Sequence, residues 1–545
     1  MREAHTVEEV RAAEALLAGQ PLMDRAVAGL AASCAKLLTE RRGRVYGSRV
    51  LVLAGSGDNG GDALFAGARL ARRGAAVSAV LLSPDKAHPA ALAALRATGS
   101  QVTTDQEVGL ADFRRADLVL DGIVGIGGRG GLRPAAQPYA SAERTGLLVA
   151  VDLPSGVDAD TGEVPGAALR ADLTVTMGTY KPGLLVDPGA GYAGVVQLVP
   201  IGMTAPPAAV QALQHADVAA LLPRPGAESD KYRRGVLGLL AGSERYPGAA
   251  LLAVAGALHG GAGAVRYQGR PGEEVVRHHP EVLLTPGRVQ AWVVGPGSGD
   301  DAPGALTDVL ASEVPVLVDA DGLTELARRG PGTLVGRSAP TLLTPHTGEA
   351  ARLLGGAVTA EQVAAARLRY ARELAARYGA TVLLKGSTTV VARPDGAVRV
   401  NSTGTGWLAT AGSGDVLAGL AGALLAAGLD PWDAAPAAAH LHGLAGRLAA
   451  AGESGGQPGR AAPVRHRPAL PSGGGVGVFA GSGPARRVVA DPWEPERSGE
   501  QSYPPSAPPW GGAPITAGEV AAALPAAWRG VVEGGGRRST AGLGD

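Results

Sequence analysis

The sequence predicts two α/β domains in series, each a parallel sheet with helices on both faces. Three observations carry this reading. Two unlike glycine-rich loops follow hydrophobic strands, one in Val50-Leu-Val-Leu-Ala-Gly-Ser-Gly-Asp-Asn-Gly-Gly-Asp62, the other in Gly404-Thr-Gly-Trp-Leu-Ala-Thr-Ala-Gly-Ser-Gly-Asp415. Strand and helix patterns alternate around both loops, the signature of a parallel sheet with ligands at its carboxyl edge. Finally, 545 residues exceed what one hydrophobic core supports. Hydrophobic residues make up 46% but aromatics only 3%, so the cores are built from Val, Leu and Ala.

In the first half, apolar residues recurring at three and four predict a helix over 6–38. Residues 49–54 read as a buried strand, 62–73 as a helix, 76–82 as a strand and 89–98 as a helix. Further strands are expected at 117–121, 147–152 and 173–177. Polar residues fall at the strand ends: Asn59 and Asp62, then Asp121, then Asp152 with Ser155. Either aspartate alone could be a cap or turn former. Three strand ends agreeing is what a crevice site produces. Pro206-Pro207 and Pro223 mark a connection, with a short helix over 208–222. We therefore place domains at 1–210 and 226–545, joined by a linker at 211–225.

In the second half, strands are expected at 235–242, 264–267, 291–295, 316–320, 340–344 and 381–385. The turns that end them read Gly295-Pro-Gly-Ser-Gly299, Asp319-Ala-Asp321, Thr344-Pro-His-Thr-Gly-Glu349 and Lys385-Gly-Ser-Thr-Thr389. An Ala-rich helix follows Asp415 over 416–427. His440 and His442 are two apart and so on different helix faces, favouring packing over a metal pair. Residues 453–512 are dominated by Pro, Gly, Ser and Arg without apolar period, which predicts a disordered insertion. A helix with a Thr516–Glu519 capping box should then dock on the second domain, followed by a mobile tail after Arg529.

Fifty basic and fifty acidic residues leave zero formal net charge, which argues against a nucleic-acid or anionic-membrane partner and for small molecules. Cys34 is the one cysteine, so there is no internal disulfide, and a small buried side chain in a reducing cytoplasm is expected. No run approaches eighteen apolar residues, and the acidic start lacks an export pattern. We expect a soluble cytoplasmic homo-oligomer.

Ser56-Gly-Asp-Asn-Gly-Gly-Asp62, Asp121-Gly-Ile-Val-Gly-Ile-Gly, Val151-Asp-Leu-Pro-Ser-Gly156 and Thr179-Tyr-Lys-Pro-Gly183, in that order, resemble the NAD(P)H-hydrate epimerase domain over roughly 1–210. The resemblance implies a Rossmann-like three-layer fold. It implies that Asp58, Asn59, Gly60, Gly61 and Asp62 hold the nucleotide, in keeping with free N–H groups at a helix N-terminus. Gly125, Ile126, Gly127, Gly128, Arg129, Gly130 and Gly131 would line the hydrate, and Asp152 would be the proton-transfer residue. Asn59, Asp121 and Ser155 would ligate potassium. Asp58 stands where the family usually has Asn, and Ala63 where it usually has Gly. Lys181 is either the cation at the closing edge of this half or a solvated loop lysine.

The second set of turns, with Gly412-Ser-Gly-Asp415, resembles the ribokinase-like ADP-dependent NAD(P)H-hydrate dehydratase over roughly 225–452 and 513–530. This implies that Asp415 is the catalytic base beside a glycine anion hole. Lys385, Gly386, Ser387, Thr388, Thr389 and Gly414 would bind ADP. Gly248, Ala249, Gly297, Gly299, His346 and Asp415 would line the hydrate pocket. Glu349 either binds magnesium through water or caps the next helix. The family's usual Asn-Pro-Gly-Met is replaced here by Thr405-Gly-Trp-Leu408, which reshapes the approach loop. The expected activity is epimerisation of R- and S-hydrated NADH and NADPH, then dehydration of the S form with ADP consumed to AMP. The alternative is a ribokinase-like small-molecule kinase with a nucleotide-binding regulatory domain.

Overall fold

A computed structural model describes residues 1–452 and 512–536. The expected insertion 453–512, apart from Gly512, lies outside the described residues, as does the tail beyond 536. Two sheets organise the chain.

The first sheet has seven strands, in the order Gln101–Thr103, Ala76–Leu81, Arg49–Ala54, Leu118–Gly122, Leu147–Val151, Leu173–Met177, Val195–Val199, all parallel. Alternation along Arg49–Ala54 shows why it is covered on both sides. Val50, Val52 and Ala54 enter a core with Leu30, Leu38 and Leu64, while Leu51 and Leu53 enter another with Phe113 and Tyr139. Strand order reverses direction between Arg49–Ala54 and Leu118–Gly122, so the ligand crevice falls between their carboxyl ends.

The second sheet has ten strands. Its parallel part runs Ala264–Tyr267, Val236–Leu240, Ala291–Val294, Val316–Val318, Thr341–Leu343, Thr381–Leu384. Thr389–Ala392 and Val398–Asn401 extend it as antiparallel strands. Here the switch point lies between Val236–Leu240 and Ala291–Val294. Leu383 faces one core and Val382 and Leu384 the other, so this sheet too is a middle layer.

Several local expectations need correction. The helix expected over 6–38 is two helices, Val7–Ala15 and Leu22–Arg42. Gly19 at φ +88° and Pro21, which cannot donate a backbone bond, break the run. The helix after the first glycine loop begins at Asp58, not Asp62. Its glycines are helical because the turn is tight: a Cβ on Gly60 would lie 2.6 Å from the Gly55 carbonyl oxygen. The stretch 208–222 is no linker helix. It forms the strand Val210–Ala212 and the helix His215–Leu221. Of the tail expected to be mobile after Arg529, the part up to Gly536 is helix, since Ala517–Gly536 is one element.

That last helix does dock as expected. Thr516 and Glu519 form the capping box, and Val520, Leu524 and Val531 are buried in the second sheet's core. Cys34 is fully buried and its thiol is pushed up to about 12 by desolvation, as suits an inert small side chain.

The sheets share their chain ends. Arg2–Ala4 pairs antiparallel with Val210–Ala212 at the edge of the ten-stranded sheet, so the first residues of the expected domain 1–210 belong to the second sheet. His5 bridges Thr179 Oγ1 and the Pro206 carbonyl at 2.7 Å each. Leu185 and Val186 are buried with Val382, Leu384 and Val390. The connection between sheets is therefore a packed core rather than a loose tether.

Candidate active sites

At the first switch point, the glycine loop and three strand ends converge. Asp121, fully buried at the end of its strand, accepts from Ser155 N at 2.9 Å and Ser155 Oγ at 2.6 Å. Burial pushes its carboxyl up to about 6 against these hydrogen bonds. Val124 N donates to Ser155 Oγ at 3.0 Å. Gly125 lies against Asn59, where a Cβ would stand 3.1 Å from the amide. The Asn59 amide nitrogen and Asp62 Oδ1 are buried without a hydrogen-bond partner. Gly128, Arg129, Gly130 and Gly131 line a narrow cleft with Gly156 and Asp158, next to Ser155.

Asp152 follows its strand at φ +67°, a left-handed conformation that costs a non-glycine residue about 1–3 kcal/mol. Its Oδ1 accepts from Lys181 Nζ at 2.5 Å, Thr176 Oγ1 at 3.0 Å and Met177 N at 3.1 Å. Lys181 is 1% exposed, and Thr176 Oγ1 and the Met177 carbonyl take its other protons. It is thus a buried partner of Asp152, and the solvated-lysine alternative is set aside. Asp62 is pushed up to about 8 by desolvation, then by the charges of Asp152, Asp58 and Glu14. Glu14 was not anticipated from the sequence. Desolvation, opposed by Lys181 and reinforced by Asp152 and Asp58, raises its carboxyl too. Nothing in a helix pattern separates such a glutamate from a solvated one.

At the second switch point, the N-terminus of helix Pro247–His259 meets the turn after Ala291–Val294. Gly297 has φ +60°, and a Cβ there would lie 2.6 Å from the Ala249 methyl, so only glycine permits this approach. The structure thereby joins Gly248 and Ala249 to the Gly297 turn. Gly299 N donates to Asp321 at 2.8 Å.

Helix Ser413–Ala426 starts one turn earlier in the glycine loop than expected, with Gly412 left-handed at its N-cap and Asp415 in its first turn. Lys385 crosses to this terminus: a Cβ on Gly414 would be 3.5 Å from its Nζ. Lys385 also pairs with Asp319 at 2.7 Å and Glu349 at 3.6 Å. These carboxylates hold its ammonium above its usual range even though burial opposes the charge. Asp415 is pushed up to about 7 by desolvation and by Asp319, with Lys385 opposing and Asp321 and Glu349 adding to the rise. His442 is buried against the Ser413 carbonyl at 2.9 Å and steadies this turn, while His440 meets His215 at 3.0 Å. Among the described residues, no three His, Cys, Asp or Glu side chains form a metal-holding group.

His346 and Glu349 cap their own helix reciprocally. His346 Nδ1 accepts from Gly348 N at 3.0 Å, and Glu349 Oε2 accepts from His346 N at 2.8 Å. Glu349 nonetheless reaches Lys385, so capping and proximity to the site coexist. Thr389 begins the strand Thr389–Ala392, whereas Gly386 and Ser387 are exposed at the loop tip.

If Asp415 is the base, only its ionised form works. Because its carboxyl titrates near 7, kcat/KM for the second site will rise as pH increases through about 7 and level off above it. A pH profile with no change through 7 would contradict that role.

Two α/β sheets with separate crevices, one built on an Asp–Lys pair and the other on a helix-terminal Asp beside a lysine, define a two-site enzyme acting on nucleotide-like ligands. The comparisons make this particular. Residues 19–183 match the YjeF-related protein N-terminus family, and 237–459 match the NAD(P)H-hydrate dehydratase family. The bifunctional NAD(P)H-hydrate repair enzyme Nnr of Mycobacterium tuberculosis is 50% identical over 449 residues, covering 80% of this chain and 91% of that one. Its Mycobacterium leprae counterpart is also 50% identical, over 83% of this chain and 95% of its own. Among solved structures, a Bacillus subtilis ADP/ATP-dependent NAD(P)H-hydrate dehydratase co-crystallised with ATP and Mg2+ has 34% identity and a TM-score of 0.40. It covers 44% of this chain and 89% of that chain. The chain belongs to the family of bifunctional NAD(P)H-hydrate repair enzymes. No helix among the described residues is long and apolar enough to cross a membrane.

Proposed function

We propose that the seven-stranded domain interconverts R- and S-hydrated NADH and NADPH, and that the ten-stranded domain dehydrates the S form with ADP, yielding NAD(P)H, AMP and phosphate. The observation that carries the second half is the meeting of Asp415, Lys385 and the glycine N-terminus of helix Ser413–Ala426. Asp415 takes the hydroxyl proton of the hydrate as its oxygen attacks the terminal phosphate of ADP. The amides of 412–414 and the Lys385 ammonium bear the charge that develops on that phosphate. The phosphorylated carbon then loses phosphate, a far better leaving group than hydroxide, the neighbouring ring carbon gives up a proton to the departing phosphate, and the ring double bond returns. Gly248, Ala249, Gly297, Gly299 and His346 are placed around the hydrate in this reading, and residues 385–389 around ADP.

In the first domain, Asp152 exchanges the proton of the hydrated ring while Lys181 balances its charge. Asp58, Asn59, Gly60, Gly61, Asp62 and the loop 125–131 hold the dinucleotide. The oxygens of Asp121, Ser155 and Asn59 form a hard donor set suited to potassium, and the buried Asp121 carboxyl gains from a compensating cation. Bound there, potassium would fix the loop Val124–Gly125. Magnesium would be held at the second site by the ADP phosphates, with Glu349 reaching it through water, and would neutralise phosphate charge. The buried Cys34 thiol suits a reducing cytoplasm.

The test is product analysis with S-hydrated NADH and ADP. AMP and phosphate formed in equal amounts with NADH support the reading. A phosphoester that accumulates without NADH would favour the small-molecule kinase instead.

A further inference from the structure

The exposed loop at 386–387 is held from two sides. Inside, the buried Arg367 donates through Nη2 to the Leu384 carbonyl at 3.1 Å and the Lys385 carbonyl at 2.8 Å. Gly386 lies flat on this guanidinium, since a Cβ there would be 2.2 Å from Nη2. Outside, the holding residue comes from the other half of the chain. Asp187 Oδ2 accepts from Ser387 Oγ and from Thr388 N at 3.1 Å, and Asp187 N donates to Thr388 Oγ1 at 3.0 Å. Its own anchor is firm, because Leu185 and Val186 just before it are buried in the ten-stranded sheet's core, and Gly189 N just after it bonds the Gly162 carbonyl at 2.8 Å.

We propose that Asp187, supplied by the first domain's segment, is a positioning residue for the nucleotide loop of the second site. The inference rests on the reading that residues 385–389 hold ADP. Its charge logic orients the ligand. A carboxylate at Ser387 and Thr388 repels phosphate, so phosphates belong at the Lys385 and Gly414 end. Ser387 spends its hydroxyl proton on Asp187, which leaves its oxygen to accept from a nucleoside hydroxyl or amino group. The same short segment carries Lys181, the partner of Asp152, so the two sites are fastened through one stretch of backbone.

The experiment compares Asp187→Ala and Asp187→Asn in the full chain, measuring Mg-ADP binding, KM for ADP, kcat for dehydration, and epimerisation. In Asp187→Ala we expect the dissociation constant and KM for ADP to rise about tenfold, roughly one charge-assisted hydrogen bond. We expect kcat to change by less than about twofold and epimerisation not at all. Asp187→Asn retains an acceptor oxygen and should recover most of the affinity. An unchanged KM in Asp187→Ala overturns the proposal, and so does an equal loss of both activities that asparagine fails to rescue. Lys385→Met and Ser387→Ala separate the two levels of failure. If neither weakens Mg-ADP binding, the loop is not the nucleotide site and the proposal falls with that reading. If they weaken it and Asp187→Ala does not, only the role of Asp187 is refuted.

Discussion

The Asp415→Ala chain will dehydrate S-hydrated NADH about a thousandfold more slowly than the parent, the usual worth of a general base, and will still interconvert the epimers. Dehydration falls because the neighbouring carboxylates are engaged elsewhere, Asp321 with the Gly299 amide at 2.8 Å. Asp319 is committed to Lys385 at 2.7 Å, and Glu349 is committed to the His346 amide as well as to Lys385. Stability should rise or hold, since the mutation removes a half-ionised carboxyl that burial disfavours. Epimerisation persists because Asp152 lies on the other sheet. Separate assays for dehydration and for epimer exchange check this. A variant that retains dehydration within tenfold of the parent would remove Asp415 from the chemistry.

The second large effect is expected from Lys181→Met. Removing the ammonium leaves Asp152 with its strained φ of +67° and without its 2.5 Å partner. Breaking a buried ion pair from one side typically costs about 3–5 kcal/mol. Because Asp152 is 14% exposed at its side chain, water relieves part of that, and we expect about 3 kcal/mol. Epimer exchange should drop by at least about a hundredfold, as the carboxylate proposed for proton transfer loses the ammonium that orients it. Denaturant unfolding and epimer exchange measure the two effects. Asp152→Asn should lose the same activity at a smaller cost in stability, since it leaves a neutral acceptor for the lysine. If Lys181→Met exchanged epimers at the parental rate, Lys181 would be only a structural cation.

What the sequence disclosed was local. Runs such as Val50-Leu-Val-Leu-Ala54 and their glycine turns announce buried strands ending in crevices, and both switch points lie where those turns are. The Thr516–Glu519 box was legible because capping depends on residues three apart. The helical state of Gly60 and Gly61 was not, because glycines favour loops by propensity. Here it is fixed by the Gly55 carbonyl and by His88, which would stand 3.0 Å from a Cβ on Gly61. Pairings across long separations were invisible. Nothing near Ala4 or Val210 announces that they join each other and then Val398 in one sheet. Lys181 read as ambiguous because burial at 1% is a property of the tertiary core, and Asp187 offered no motif at all. In the site itself, turn residues can be named as candidates because their spacing is local, while Glu14 and Arg367 carry no local signal and are reached only through packing.

The central claim is that one chain repairs both epimers of a damaged cofactor at two sites. It is tested most directly by giving the purified full chain a mixture of R- and S-hydrated NADH with potassium and Mg-ADP, and following NADH to completion. Both epimers should be recovered, with the R fraction lost in Asp152→Asn and recovery slowed about a thousandfold in Asp415→Ala. Recovery of the S fraction alone by the parent chain, or recovery of the R fraction undiminished in Asp152→Asn, would contradict it.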